Sequence, residues 1–233
     1  MASNTALIVV DMQHDFLDDS APLLVQDGMK VIPLINKLLD SSTITYKVAT
    51  KDWHPQNHVS FATSHPAPDN KPFTSFVQIK NIVGGEPDQT MEQRLWPVHC
   101  VQGTKGAEIV SEINTDKVDL VVNKGANEQV ETYSAFRDSF GNLAAGKGGI
   151  DHDLTKELKD RNIDQVLVVG IAGDYCVNWT ALDCAKAGFK TYVIDEAIRC
   201  VSQDAWGEIC TGFAKNNVTV IHEKDDLVQK LLN

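Results

Sequence analysis

Asp11, Asp52, His54, Lys124 and Cys176 each stand at, or just past, the end of an apolar run that reads as a strand. Together they offer a nucleophile, a proton carrier, a cation and metal donors. Cys176 is the most informative. Val166-Leu167-Val168-Val169 has the length and β-branched content of a strand buried on both faces, Gly170 to Asp174 reads as a tight turn, and a helix should begin near Tyr175. A thiol at the first turn of a helix meets amides without intrahelical partners and the positive end of the dipole, which favours thiolate. The ordinary alternative is a small buried hydrophobe.

A thiolate nucleophile needs a base that removes its proton and returns it to a leaving group, and a carboxylate such as Asp11 can do both if its pKa is tuned upward. Lys124 would favour the thiolate and hold the carboxylate in place. The turn from Ala172 to Cys176 can offer amide donors to an oxyanion. Singly, these residues read as a helix cap, a surface lysine and a core cysteine. Found together at strand ends of one sheet, they read as a site.

A second set is Asp52-Trp53-His54 with His99. Residues two apart in an extended segment point to the same side, so Asp52 and His54 can reach one ion, and His99 could close the site. Two histidines and one carboxylate leave coordination positions open, which suits a catalytic rather than a structural metal. Two other patterns are set aside. Gly141 to Gly148 nearly matches a phosphate-binding loop, but Gly148 stands where a metal-binding hydroxyl is required and no buried strand precedes it. His54 and His58 are spaced like a helical zinc pair, but Pro55 opposes a helix there. His14, His58, His65, His152 and His222 receive no ligand role.

The elements that must position these groups alternate. Strands are expected at Thr5–Val10, Thr43–Ala49, Val118–Val122, Val166–Val169, Thr191–Ile194 and Val218–Ile221. Helices are expected at Gly28–Leu39, with Pro33 confined to a first turn, and at Glu108–Ile113, Asp151–Arg161, Tyr175–Lys186, Gln203–Lys215 and Asp225–Leu232. Residues 54–98 show no periodicity, and a segment of that length is often functional. The expected fold is a single-domain, three-layer α/β/α arrangement over 1–233, with a mostly parallel central sheet flanked by helices. Ligands of such sheets bind beyond the carboxyl ends of the strands.

Composition narrows the classes further. At 233 residues, with 42% hydrophobic and 23% charged residues, the chain can bury a sizeable core. A net charge of -11 argues against nucleic acid or an anionic membrane as partner. No apolar run approaches membrane-spanning length, and Ala6–Val10 is too short for a signal segment. Five dispersed cysteines do not form a disulfide framework, so a cytoplasmic location is expected. The oligomeric state, including a homo-oligomer, is left open.

The set Asp11-x-Gln13-x-Asp15-Phe16, Asp52-Trp53-His54-Pro55, Trp96-Pro97-Val98-His99-Cys100, Lys124-Gly125 and Gly170 to Val177 resembles the nicotinamidases of the isochorismatase-like cysteine hydrolase superfamily. The resemblance runs in order from about Leu7 to Lys190. It implies hydrolysis of nicotinamide to nicotinate and ammonia in NAD salvage, with pyrazinamide as a second substrate. Asp11 would be the general base and acid, Lys124 its partner, and Cys176 the residue that forms a thioester. The amides of Ala172 and Cys176 would form the oxyanion hole, with the Ile171–Ala172 peptide cis. Asp52, His54 and His99 would bind a divalent metal, zinc first, with Fe2+ or Mn2+ as alternatives. Phe16, Trp96, Tyr133 and Tyr175 would wall the ring pocket. Gly173 departs from the family pattern, and a looser turn is expected there.

Two other readings use parts of the same set. An isochorismatase or other small-substrate hydrolase would share the nucleophile but generally lacks the metal set. A non-haem iron oxygenase would use the histidines and aspartate but leave Asp11, Lys124 and Cys176 idle.

Overall fold

The computed structural model describes residues 4–232. Six parallel strands form one sheet: β1 (Thr5–Val10), β2 (Tyr46–Asp52), β5 (Leu120–Lys124), β6 (Gln165–Ile171), β7 (Lys190–Arg199) and β8 (Val218–Ile221), in the order β5-β2-β1-β6-β7-β8. Helices α2 (Ile32–Asp40), α3 (Leu154–Asp160), α4 (Cys176–Lys186), α5 (Trp206–Lys215) and α6 (Asp226–Leu232) cover it, and a short α1 (His14–Leu17) follows β1.

Alternation along β1 shows why both faces must be covered. Leu7 and Val9 enter one apolar cluster with Ile35 and Leu38 of α2 and Val228 of α6. Ala6, Ile8 and Val10 enter another with Leu154 of α3, Val177 and Ala181 of α4 and Phe213 of α5. Every residue of β1 and β6 is buried, which accounts for their unbroken apolar reading. The strand order reverses direction between β1 and β6, so the chain diverges there and opens a crevice at their carboxyl ends.

Two expectations fail. Glu108–Ile113 is not a helix: Ile109 bridges to Gln13, Val110 N–H donates to Met12 carbonyl at 2.9 Å, and a turn closed by Ile113 N–H on Val110 carbonyl brings both Val110 and Ile113 into the core. Apolar residues at that spacing satisfied a helical pattern, but pairing with the 12–14 segment took the backbone groups. Residues 54–98 are not wholly irregular. They contain an antiparallel ribbon of β3 (Phe76–Asn81) and β4 (Glu86–Arg94); β4 is mostly polar and exposed, and β3 offers only the short alternation of Val77 and Ile79 to announce it. Boundaries also move. The second and third sheet strands end later than expected, so Asp52 and Lys124 are the last residues of their strands.

Candidate active site

The register of the sheet assembles the site. Val10 pairs with Gly170, which sets Asp11 beside the turn after β6, and Asp52 pairs with Lys124 across β2 and β5. Asp11 adopts a left-handed backbone, φ 50°, where the chain leaves β1. Carboxylate oxygens of Asp11 and Asp52 and the sulfur of Cys176 lie within 4.8 Å of one another, all buried. Into this group reaches Lys124, itself fully buried. Its Nζ lies 3.0 Å from Asp11 Oδ2, 3.3 Å from Cys176 Sγ, and in contact with Asp52 Oδ1.

The charges explain one another. Burial alone would neutralise Lys124, but Asp11 and Asp52 hold its pKa well above the ordinary lysine value. Burial likewise opposes ionisation of Asp52, yet Lys124 and His54 keep its carboxyl well below the usual range. Asp11 goes the other way. Desolvation raises it, Lys124 only partly offsets that, and Asp52 adds to it. Asp11 Oδ1 accepts from Thr50 Oγ1 at 2.5 Å, while the buried Oδ2 has the lysine as ion-pair partner but no well-aligned hydrogen bond. That oxygen is the one left to carry a proton. Cys176 contradicts the expectation of a stabilised thiolate. Burial pushes its thiol well above the normal value; Lys124 opposes that shift, and the Asp11 and Asp52 carboxylates add to it.

Cys176 opens α4, with Tyr175 as the preceding cap residue. The Ile171–Ala172 peptide is cis. Ala172 carbonyl accepts from the amides of Tyr175 and Val177, at 3.1 and 3.0 Å, while the amides of Ala172 and Cys176 have no protein acceptor among the described residues. Gly173 does not loosen the turn. A Cβ there would stand 2.6 Å from Cys200 Sγ and 2.7 Å from Ile198 Cγ2, so the turn is packed tightly against the end of β7. Asp174 fastens it further, accepting from the amides of Val201 and Ser202, each at 2.9 Å.

Asp52, His54 and His99 also converge. Nε2 of His54 and of His99 lie 3.6 and 3.7 Å from Asp52 Oδ2. The segment after His99 runs alongside His54: His54 N–H donates to Cys100 carbonyl and Gln102 N–H to His54 carbonyl. His54 Nδ1 is 3.0 Å from Gly125 carbonyl, and His99 Nδ1 is 2.8 Å from Pro97 carbonyl. Carbonyls only accept, so both Nδ1 atoms carry hydrogen and a neutral ring presents a bare Nε2. Two such lone pairs and a carboxylate oxygen aimed together need a cation between them. The donor set fits a divalent metal. Gly125 is required here: its φ is +69°, and a side chain would collide with the His54 ring. His58 packs 4.1 Å from His54, but its nitrogens are taken by Ser60 Oγ and Val130 carbonyl.

A single pocket joins the two groups. Phe16, Trp96, Tyr133, Tyr175, Ala172 and Cys176 line it together with Asp52, His54 and His99. Sequence reasoning missed Leu23, Val25, Glu131 and Val201, which also line it. Glu131 is a buried carboxyl whose pKa desolvation raises. It follows no strand, so nothing in its surroundings marked it. Gln13 and Asp15 were seen only as parts of a motif. Gln13 Nε2 donates to the Asp52 carbonyl and its Oε1 accepts from the Asp52 amide, both at 2.8 Å, while Asp15 accepts from the Cys100 amide at 2.7 Å. Asp11, Gln13 and Asp15, spaced two apart, therefore reach three places: the Cys176 thiol, the Asp52 backbone and the His99 loop.

The pattern described as the Isochorismatase domain matches residues 5–225. The chain belongs to the isochorismatase family. Within that family, the nicotinamidase of Acinetobacter baylyi is 37% identical over 218 residues, 89% of each chain. The yeast nicotinamidase bound to the inhibitor nicotinaldehyde has a TM-score of 0.84 at 32% identity, covering 94% of this chain and 99% of its own. The pyrazinamidase of Pyrococcus horikoshii in complex with zinc has a TM-score of 0.68 at 31% identity, with 94% and 99% coverage. No helix among the described residues is long and apolar enough to cross a membrane.

Proposed function

We propose that this chain hydrolyses nicotinamide to nicotinate and ammonia through a Cys176 thioester, and that it accepts pyrazinamide in the same way. The observation that carries the reading is the contact of one buried ammonium, Lys124, with Asp11, Asp52 and Cys176, the last two of which line an aromatic pocket. The sequence likeness to nicotinamidases over most of the chain supports the substrate class.

Asp11 takes the Cys176 proton as the sulfur attacks the carboxamide carbon. The carbonyl oxygen becomes an oxyanion, accepted by the amides of Ala172 and Cys176. The tetrahedral adduct collapses with cleavage of the C–N bond, and Asp11 returns the proton to the departing ammonia. Water then attacks the thioester, losing one proton to Asp11; the second adduct collapses to nicotinic acid, the Asp11 proton returns to sulfur, and the acid loses its own proton to solvent as nicotinate. Lys124 keeps Asp11, Asp52 and Cys176 together throughout. Burial pushes up the pKa of Cys176, so the thiol needs a nearby base, and the upward-shifted Asp11 suits a group that alternately takes and gives a proton.

Asp52, His54 and His99 would hold a divalent metal, zinc by the chemistry of the donor set and by likeness to the zinc-bound pyrazinamidase. Such an ion supplies a Lewis-acid handle for the ring nitrogen and its bound waters. Phe16, Trp96, Tyr133 and Tyr175 would sandwich and orient the flat ring. The test is ammonia release from nicotinamide, pyrazinamide and small aliphatic amides, with and without a chelator. Turnover of the two heteroaromatic amides but not the aliphatic ones is expected. Equal rates on all would refute the assignment of the slot.

A further inference from the structure

Gln93 sits near the end of β4, in a ribbon that is mostly exposed, yet its side chain is only 2% exposed. Its Nε2 donates to the phenol oxygen of Tyr133 at 2.6 Å and to the Arg94 carbonyl at 2.7 Å. The indole Nε1 of Trp96 donates to the same phenol oxygen at 3.0 Å. A phenol oxygen has two acceptor positions, and these two donors fill both. The oxygen is thus a pin between two walls of the pocket. Each wall also packs on Tyr175, Trp96 at 4.8 Å and nearly perpendicular, Tyr133 at 5.5 Å.

We infer that Gln93 is a positioning residue for the aromatic slot, acting on bound ligand through the Tyr133 oxygen without lining the pocket itself. The inference rests on the reading that the slot holds a heteroaromatic carboxamide. Width decides affinity in a slot that grips a flat ring by its faces, because dispersion falls steeply with a gap of a fraction of an ångström. Deleting the Gln93 bond frees the phenol to tilt, and the Trp96 indole loses the alignment of its own bond. The reacting atoms are elsewhere, at the ends of β1, β5 and β6. Nor does the ribbon depend on Gln93 for its place, since Asn81 Oδ1 accepts from Asn142 Nδ2 at 2.7 Å and from the Gly84 amide at 2.9 Å near its tip. Loss of Gln93 should therefore weaken binding rather than chemistry.

The experiment compares the wild type with Gln93→Leu, Tyr133→Phe and the double variant, using the metal-loaded full chain. Each single change should raise the KM for nicotinamide about 3- to 10-fold, the size of one net hydrogen bond, with kcat within about twofold of wild type. The double variant should be no worse than the poorer single one, because both remove the same link. Effects that multiply, or a kcat that falls as far as KM rises, overturn the inference. Tyr133→Phe keeps the ring and deletes only the pin, so an unchanged KM in that variant overturns it even where Gln93→Leu folds poorly. A wild type without turnover would instead refute the nicotinamidase reading. The positioning role is then decided by the Trp96 indole N–H resonance, assigned by its loss in Trp96→Phe. It should shift in both single variants, and a resonance unmoved by Gln93→Leu overturns the inference.

Discussion

Lys124 Nζ stands 3.3 Å from Cys176 Sγ, yet burial pushes the pKa of that thiol well above its ordinary value. Desolvation dominates, and the lysine's attraction is offset by two carboxylates that the same lysine keeps in place. The helix start does not rescue the anion.

Cysteine labelling should reflect that. Cys176 is buried with a raised pKa, whereas Cys210 is the one cysteine that is not buried among the described residues. With iodoacetamide at neutral pH, mass spectrometry should find Cys210 modified ahead of Cys176, and modification of Cys176 should accelerate as pH rises. Dominant labelling of Cys176 below neutral pH would contradict a resting thiol.

Lys124→Met should abolish ammonia release and destabilise the fold. Removing one partner from a buried ion cluster typically costs about 3–5 kcal/mol. The pH dependence has a defined sign. Lys124 lowers the pKa of both Asp11 and Asp52, so without it both carboxyls move upward in the folded state. A folded pKa above the unfolded value means stability is lost as pH rises through the folded pKa. The melting temperature of the variant should therefore fall furthest below wild type at neutral pH, and the gap should narrow on acidification. A gap that widens with acid would show that Lys124 does not carry the charge balance of the cluster.

The strands that deliver chemistry were legible because burial on both faces leaves an unmistakable apolar run. Val166–Val169 and Thr5–Val10 announce themselves, and with them the ends where Asp11 and Cys176 lie. Asp52, His54 and His99 were legible as donor types, though only the pairing of residues 53–55 with 100–102 explains how His99 arrives. Glu131 and Gln93 were not legible. One sits on a coil segment and the other on an exposed ribbon, and each owes its role to a contact some 40 residues or more away. The thiol's ionisation was misjudged for a related reason: the helix start is local and visible, whereas desolvation by the assembled core is not.

His99→Ala should lose metal while keeping the fold. His99 reaches the donor set from a loop, and its Nδ1 bond to Pro97 carbonyl is local. Deleting one of three protein donors should weaken zinc binding at least 100-fold, beyond the 10–100-fold typical of a lost supporting residue. Elemental analysis after dialysis against a weak chelator measures it. Stoichiometric zinc in the variant would remove His99 from the ligand set.

Gly173→Ala tests how tightly the catalytic turn is wedged. The added methyl would stand 2.6 Å from Cys200 Sγ and 2.7 Å from Ile198 Cγ2, closer than real Cβ atoms come to their neighbours. Gly173 N–H also donates to the Arg199 carbonyl at 2.8 Å, so the turn cannot back away without breaking a bond to β7. Overpacking of this kind costs about 1–3 kcal/mol, and the displaced turn should misplace the amides of Ala172 and Cys176, lowering kcat more than it raises KM. Cys200→Ala removes the sulfur in the way. The double variant Gly173→Ala with Cys200→Ala should regain part of both the melting temperature and kcat, measured side by side with the two single variants. A double variant no better than Gly173→Ala alone would mean that the Cys200 sulfur is not what confines the turn.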